Sequence, residues 1–151
     1  MPEQQLTLYD AEAEVSPRRT FSSEEEMQQF ADEIREADWW QRNFPQVRRI
    51  EVYFDDARDA SAARWHPEHG AGVIGIAAHG HTDLTLMHEV AHVLANARYG
   101  EATHSPWFAR TYLEAVYTYM GAEAYAELRA AFERHGIDHD TDNSNPAGRA
   151  V

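Results

Sequence analysis

The sequence predicts an α+β domain in which a small twisted sheet packs on one central helix and further helices close around it. Three observations lead there. Residues 83–97 carry a helical apolar stripe, Leu86, Val90, Val93 and Ala97, opposite His88 and His92 on the same wheel. Residues 49–55 alternate, with Ile50, Val52 and Phe54 on one face and Arg49, Glu51 and Tyr53 on the other, as in a half-buried strand. After Ser105, two apolar periodicities of helical spacing are separated by Gly121.

Residues 1–20 offer only Leu6, Leu8 and Tyr9 ahead of the acidic Asp10, Glu12 and Glu14, a pattern that suits an edge strand or a short helix. Ser22 or Ser23 is an N-cap with Glu25 or Glu26 three positions on, the layout of a capping box. The helix that follows has Met27, Phe30, Ala31, Ile34 and Ala37 on one face and ends before Pro45, leaving Trp39, Trp40 and Phe44 to pack over a core edge. Residues 60–65 read as a second strand and 66–70 as a turn. Residues 73–77 form a short apolar strand carrying Gly75, which marks either a close backbone approach or a bulge.

That strand leads into the central helix and is expected at the sheet edge beside it. Thr82 caps the central helix, Gly100 ends it, and Ser105 caps the next with Pro106 at its first position. A last helix over 122–135 stops at Gly136, with Ile137 placed to fold back onto it. Residues 1–137 therefore form one domain, and the polar, aperiodic 138–151 are expected to be a disordered tail.

A chain of 151 residues is long enough for one core without staples. The absence of cysteine excludes disulfides, thiol nucleophiles and cysteine metal sites, so a metal would have to use His and carboxylate ligands. A net charge of −13 disfavours nucleic acid and anionic membranes as partners. No apolar run reaches the length of a membrane span, and Met-Pro-Glu-Gln-Gln is not a signal peptide, so the cytoplasm is the expected compartment.

The chemistry concentrates in His88-Glu89-Val90-Ala91-His92. Positions i and i+4 of a helix lie about 40° apart and one turn along, so His88 and His92 can offer two imidazoles to one metal. Glu89 lies about 100° from His88 and about 60° from His92, beside the metal rather than on it, where it can take a proton from water. Small Ala91 and Ala95 flank this face. The plain alternative is an amphipathic helix whose histidines sit at a solvated edge.

Hydrolytic zinc usually keeps three protein ligands and one open position. A third His six residues after His92 is excluded, because Arg98 stands there and Ala95 replaces the Gly that arrangement needs. Glu114, Glu123 and Glu127 lie on the following helices and are possible ligands. His104 is the better candidate, since a short loop can return it to the metal and the capped helix behind it would fix it. Glu114 then fits as the acceptor that holds a ligand imidazole. His79, His81, Tyr112 and Arg110 are candidates for stabilising an oxyanion, and His66, His69, His135 and His139 read as surface residues.

HExxH, a short loop and a His-x-x-x-Phe helix start resemble the SprT-like group of zincin metallopeptidases. The layout from Tyr9-Asp-Ala-Glu12 through the strand, His88-Glu-Val-Ala-His92 and His104-Ser-Pro-Trp-Phe108 more closely resembles a small family classed as metallohydrolases, found in actinobacteria and their phages. The likeness extends to about residue 137. That family usually has His-Gly-Pro where this chain has His104-Ser105-Pro106. The resemblance implies a zincin-like fold, one Zn2+ per chain held by His88, His92 and His104, and Glu89 as the catalytic base of a peptidase acting on a polypeptide or peptide-like substrate. In zinc peptidases generally, the edge strand beside the metal helix pairs with the extended substrate. SprT-like relatives that process DNA-bound proteins carry separate DNA-binding segments, and none is visible here. Two rival readings are a zincin-fold binding or regulatory protein with structural zinc, and a zinc amidase for a small molecule or cell-wall peptide.

Overall fold

In a computed structural model, residues 2–142 are described, with side chains from residue 7 onward. Six α-helices and three strands follow one another as α1 (Pro2–Glu12), α2 (Glu24–Arg35), α3 (Asp38–Asn43), β1 (Arg49–Phe54), β2 (Ala62–His66), β3 (Ala71–Ile76), α4 (Asp83–Tyr99), α5 (Pro106–Met120) and α6 (Ala122–Arg134). The class is α+β. The sheet order is β1-β3-β2, with β3 parallel to β1 and antiparallel to β2.

The helix boundaries are set by the residues whose side chains or conformations can close them. Ser23 accepts from the Glu26 amide while the Glu26 carboxylate takes the Ser22 hydroxyl at 2.6 Å, a capping box shifted by one residue. Thr82 accepts from the Thr85 amide and Ser105 from the Phe108 amide, which fixes the starts of α4 and α5. Gly100 ends α4 in the left-handed region at φ 72°, its N–H reaching back to the carbonyls of Ala95 and Asn96. The 39–44 aromatics do pack on the core, but as part of the short α3: Trp40 is fully buried and donates from Nε1 to the Val47 carbonyl.

The strand leading into α4 is not at the edge of the sheet. β3 lies in the middle, and the edges are β1 and β2. Its Ala-Gly-Val-Ile-Gly-Ile run is apolar on both faces, which suits a strand covered on both sides rather than one beside solvent. Neither expectation for Gly75 describes its place. A Cβ there would lie 2.7 Å from the hydroxyl oxygen of Tyr53, its register partner, so Gly75 makes room for a cross-strand ring in an unbroken ladder. At Gly72 a Cβ would lie 2.6 Å from Val93 and 2.9 Å from Ile50, which shows how closely α4 sits on the sheet.

The two sheet edges differ. Along β1, Gln28 of α2 donates to the Ile50 carbonyl and accepts from the Val52 amide, both at 2.7 Å, and Glu24 accepts from the Phe54 amide. Among the described residues no hydrogen bond reaches the outer edge of β2.

The N-terminal segment is a helix, α1, with Leu8 and Ala11 fully buried. It is moored to α6 by Glu14, which accepts from Arg134 and meets His135, while Arg18 pairs with Glu127. The stretch expected as a tail has no regular structure over residues 138–142, although Thr141 is buried and accepts from Arg110; residues 143–151 lie outside the described residues. Among the described residues no helix is long and apolar enough to cross a membrane.

Candidate metal centre

α4 is enclosed on most sides, with His88 buried and His92 half-buried at the wall of a cleft. His88 is 3% exposed and Glu89 5% exposed, with Leu86, Val90, Ala91 and Ala95 fully buried around them. One helical turn brings His92 beside His88, and the 101–105 loop returns His104 to both. His104 Nε2 lies 3.0 Å from His92 Nε2 and 3.2 Å from His88 Nε2. The three ligand atoms fall within 4.8 Å of one another. Tetrahedral zinc with bonds of 2.0–2.1 Å spaces its ligand nitrogens about 3.3 Å apart, so the set fits the ion.

Phe108, in the first turn of α5, explains how the loop histidine is held. Its buried ring stacks on His92 at 4.2 Å and touches His104 at 4.9 Å and His88 at 5.2 Å. The Ser105 cap and Pro106 fix the turn that carries it. Tyr9 of α1 lies parallel to the His88 ring at 5.9 Å and edge-on to His104 at 6.0 Å.

The environment keeps His92 and His104 in the form that binds metal. Burial, then the nearby His88 and His104, lower the His92 imidazole to about 2. Burial and His88 lower His104 to about 4. Both are therefore neutral near pH 7, with lone pairs available. At His88 burial also acts downward, but Glu12, by charge and hydrogen bond, and Glu89 outweigh it and raise the group. Burial raises the Glu89 carboxyl, with Glu12 adding to the effect and His88 and Arg58 opposing it.

Glu89 Oε2 lies 3.8 Å from His88 Nε2, next to the convergence point without crowding it. Two clefts open on either side. One, of about 440 Å³, runs between α4 and the exposed edge strand β2, and the other, of about 310 Å³, runs toward the start of α4. Tyr9, Ser61, His88 and Glu89 border both. Together they make a groove that passes over the histidines.

Comparison with protein-family models, curated proteins and solved structures finds no match.

Several expected roles fall elsewhere. Glu114 pairs with Arg110 and accepts from Trp39, while Glu123 and Glu127 face Arg18; none of the three reaches the histidines. The acceptor for a site imidazole is Glu12 instead, whose Oε2 lies 2.8 Å from His88 Nδ1. Its signs in the sequence were its place in Tyr9-Asp-Ala-Glu12 and an acid one turn from Leu8. Tyr112 is fully buried behind His88, its hydroxyl 2.5 Å from the same Glu12 oxygen, and does not border the groove. Burial, and then Glu12, raise its phenol far above the ordinary value. Arg110 is engaged with Glu114 and Thr141, and His81 stacks on Phe54 at 3.8 Å. Of the four oxyanion candidates only His79 borders a cleft.

Proposed function

We propose that this chain is a zinc-dependent hydrolase of peptide bonds with a zincin-like fold, in which His88, His92 and His104 hold one zinc ion and Glu89 is the catalytic base. The observation that carries the reading is the convergence of three imidazole nitrogens beside a buried carboxylate, where two clefts meet. A structural site has no need of that carboxylate or of the groove. When bound, zinc supplies a Lewis acid that acidifies a water and polarises a carbonyl.

The chain's own residues do the rest. Glu89 takes the proton of the attacking water on a carboxylate oxygen and returns it to the leaving amide nitrogen. Its raised pKa brings its proton affinity closer to the working pH, which favours that two-way role. The outer edge of β2 offers unpaired backbone groups alongside the groove, so an extended peptide can add to the sheet there. The groove continues on both sides of Glu89, which suits cleavage of an internal bond. A polypeptide is the substrate class this shape favours.

The test is metal analysis of untagged protein together with cleavage of a mixed peptide library blocked at both termini. About one zinc per chain is expected. Glu89→Gln is expected to keep the zinc and lose about 10³-fold or more in kcat/KM. A zinc-loaded wild type that cleaves no blocked peptide, or a Glu89→Gln variant as active as wild type, would overturn the reading. Cleavage confined to small amides would point to an amidase instead.

A further inference from the structure

We propose that Glu12 of the N-terminal helix is a positioning residue for His88: with Tyr112 it fixes the imidazole so that Nε2 faces the metal, and it strengthens zinc binding. The inference rests on the zinc reading above and deepens it.

One carboxylate oxygen, Glu12 Oε2, receives two donors. His88 Nδ1 lies 2.8 Å away and the Tyr112 hydroxyl 2.5 Å away. The shared oxygen accepts from both, so in the neutral His88 ring the proton sits on Nδ1. That leaves Nε2 to face the metal, and Nε2 is the atom 3.2 Å from His104 Nε2. The tautomer needed for metal binding is thus set from behind the ring, and Tyr9 of the same helix lies parallel to it, with ring centres 5.9 Å apart. A second-sphere carboxylate of this kind orients a ligand imidazole and makes it more basic.

Tyr112 has one purpose in this arrangement. It is fully buried, and apart from Glu12 its hydroxyl approaches only the Leu84 carbonyl, at 3.5 Å. It therefore anchors the Glu12 rotamer. The charge balance supports the same conclusion. The Glu12 side chain is only 14% exposed, and its one ion-pair partner among the described residues is His88. A carboxylate so enclosed, without Arg or Lys, needs positive charge close by. A protonated His88 supplies it in the metal-free protein, and a zinc ion on Nε2 would supply it in the loaded one.

Zinc affinity, measured by competition with a chromophoric chelator, and denaturant unfolding of the metal-free protein test this together. Glu12→Gln preserves the shape and one acceptor oxygen and removes only the charge. It is expected to weaken zinc binding about 10- to 100-fold without lowering metal-free stability. A merely structural role would show the reverse, with lower metal-free stability and zinc affinity within twofold of wild type, and would overturn the proposal. Tyr112→Phe is expected to weaken zinc binding by a smaller factor, and to have no further effect when added to Glu12→Gln. If Glu12→Gln does not fold, unchanged affinity in Tyr112→Phe overturns the proposal by itself. Tight zinc binding that depends on Glu12, without peptide cleavage, supports the positioning role while sinking the peptidase reading. A wild type that binds no zinc sinks both.

Discussion

The edges of the sheet are finished in opposite ways. Along β1, Gln28 and Glu24 of α2 occupy the outward backbone groups of Ile50, Val52 and Phe54, so side chains act as a substitute fourth strand. Along β2 nothing in the described chain does so, and that edge forms one wall of the groove over the histidines. Proteins close strand edges because an open one invites another chain. Here the edge across the sheet from the site is closed and the edge beside it is open. The same division holds for polar groups: the β1 side satisfies its own, while the β2 side keeps three nitrogens and a carboxylate aimed at a common space.

Breaking the open side should act on catalysis. In a peptide that the protein cleaves, N-methylation of two successive amides on the side that lies along β2 should lower kcat/KM about 10- to 100-fold, since each lost hydrogen bond is worth about 1 kcal/mol. Equal rates for methylated and parent peptides would remove β2 from substrate binding.

Acid should expose the energetic cost of the same side. His92 and His104 have folded values below their unfolded ones, so the unfolded chain binds protons that the metal-free native state refuses, and stability falls as pH drops below about 6.5. Glu89, raised on folding, opposes this above its unfolded value. His88, also raised, is protonated in both states below about 6.5, and its contribution is lost only as pH rises through its folded value. The two histidines outweigh the one carboxyl. Chelator-treated protein should therefore lose stability as pH falls from about 6.5 to 5, measured by urea unfolding. A flat profile would show that holding these groups neutral costs nothing.

The closed edge should answer in stability alone. Gln28→Ala leaves the Ile50 carbonyl and Val52 amide without their partner and should cost about 1 kcal/mol in denaturant unfolding, with kcat/KM unchanged. A change in cleavage instead would mean that the two edges are not separate in function.

What could be read in advance was what short stretches determine. Thr82, Gly100, Ser105 and Pro106 act within four or five residues of their own position, and they mark the ends of α4 and α5 as their types require. The meeting of His88, His92 and His104 follows from one helical turn and a short loop. Strand order does not follow from local pattern, so β3 was expected at an edge although it lies in the middle. Glu114 fits the acceptor of a ligand imidazole because it lies on the capped helix just after His104, whereas the short pattern of residues 1–20 does not choose between strand and helix. Glu12 lies 76 positions from His88 and 100 from Tyr112, and no local rule spans such distances.

That separation has a consequence for biosynthesis. Glu12 leaves the ribosome 100 positions ahead of its anchor, Tyr112, roughly 5–20 s at ordinary rates of translation. A nascent chain can present His88 and His92 well before the helix carrying Glu12 has anything to dock against. If the back of His88 is completed only at that docking, the proposed metal site reaches its full form late, once residues 12 and 112 have found each other.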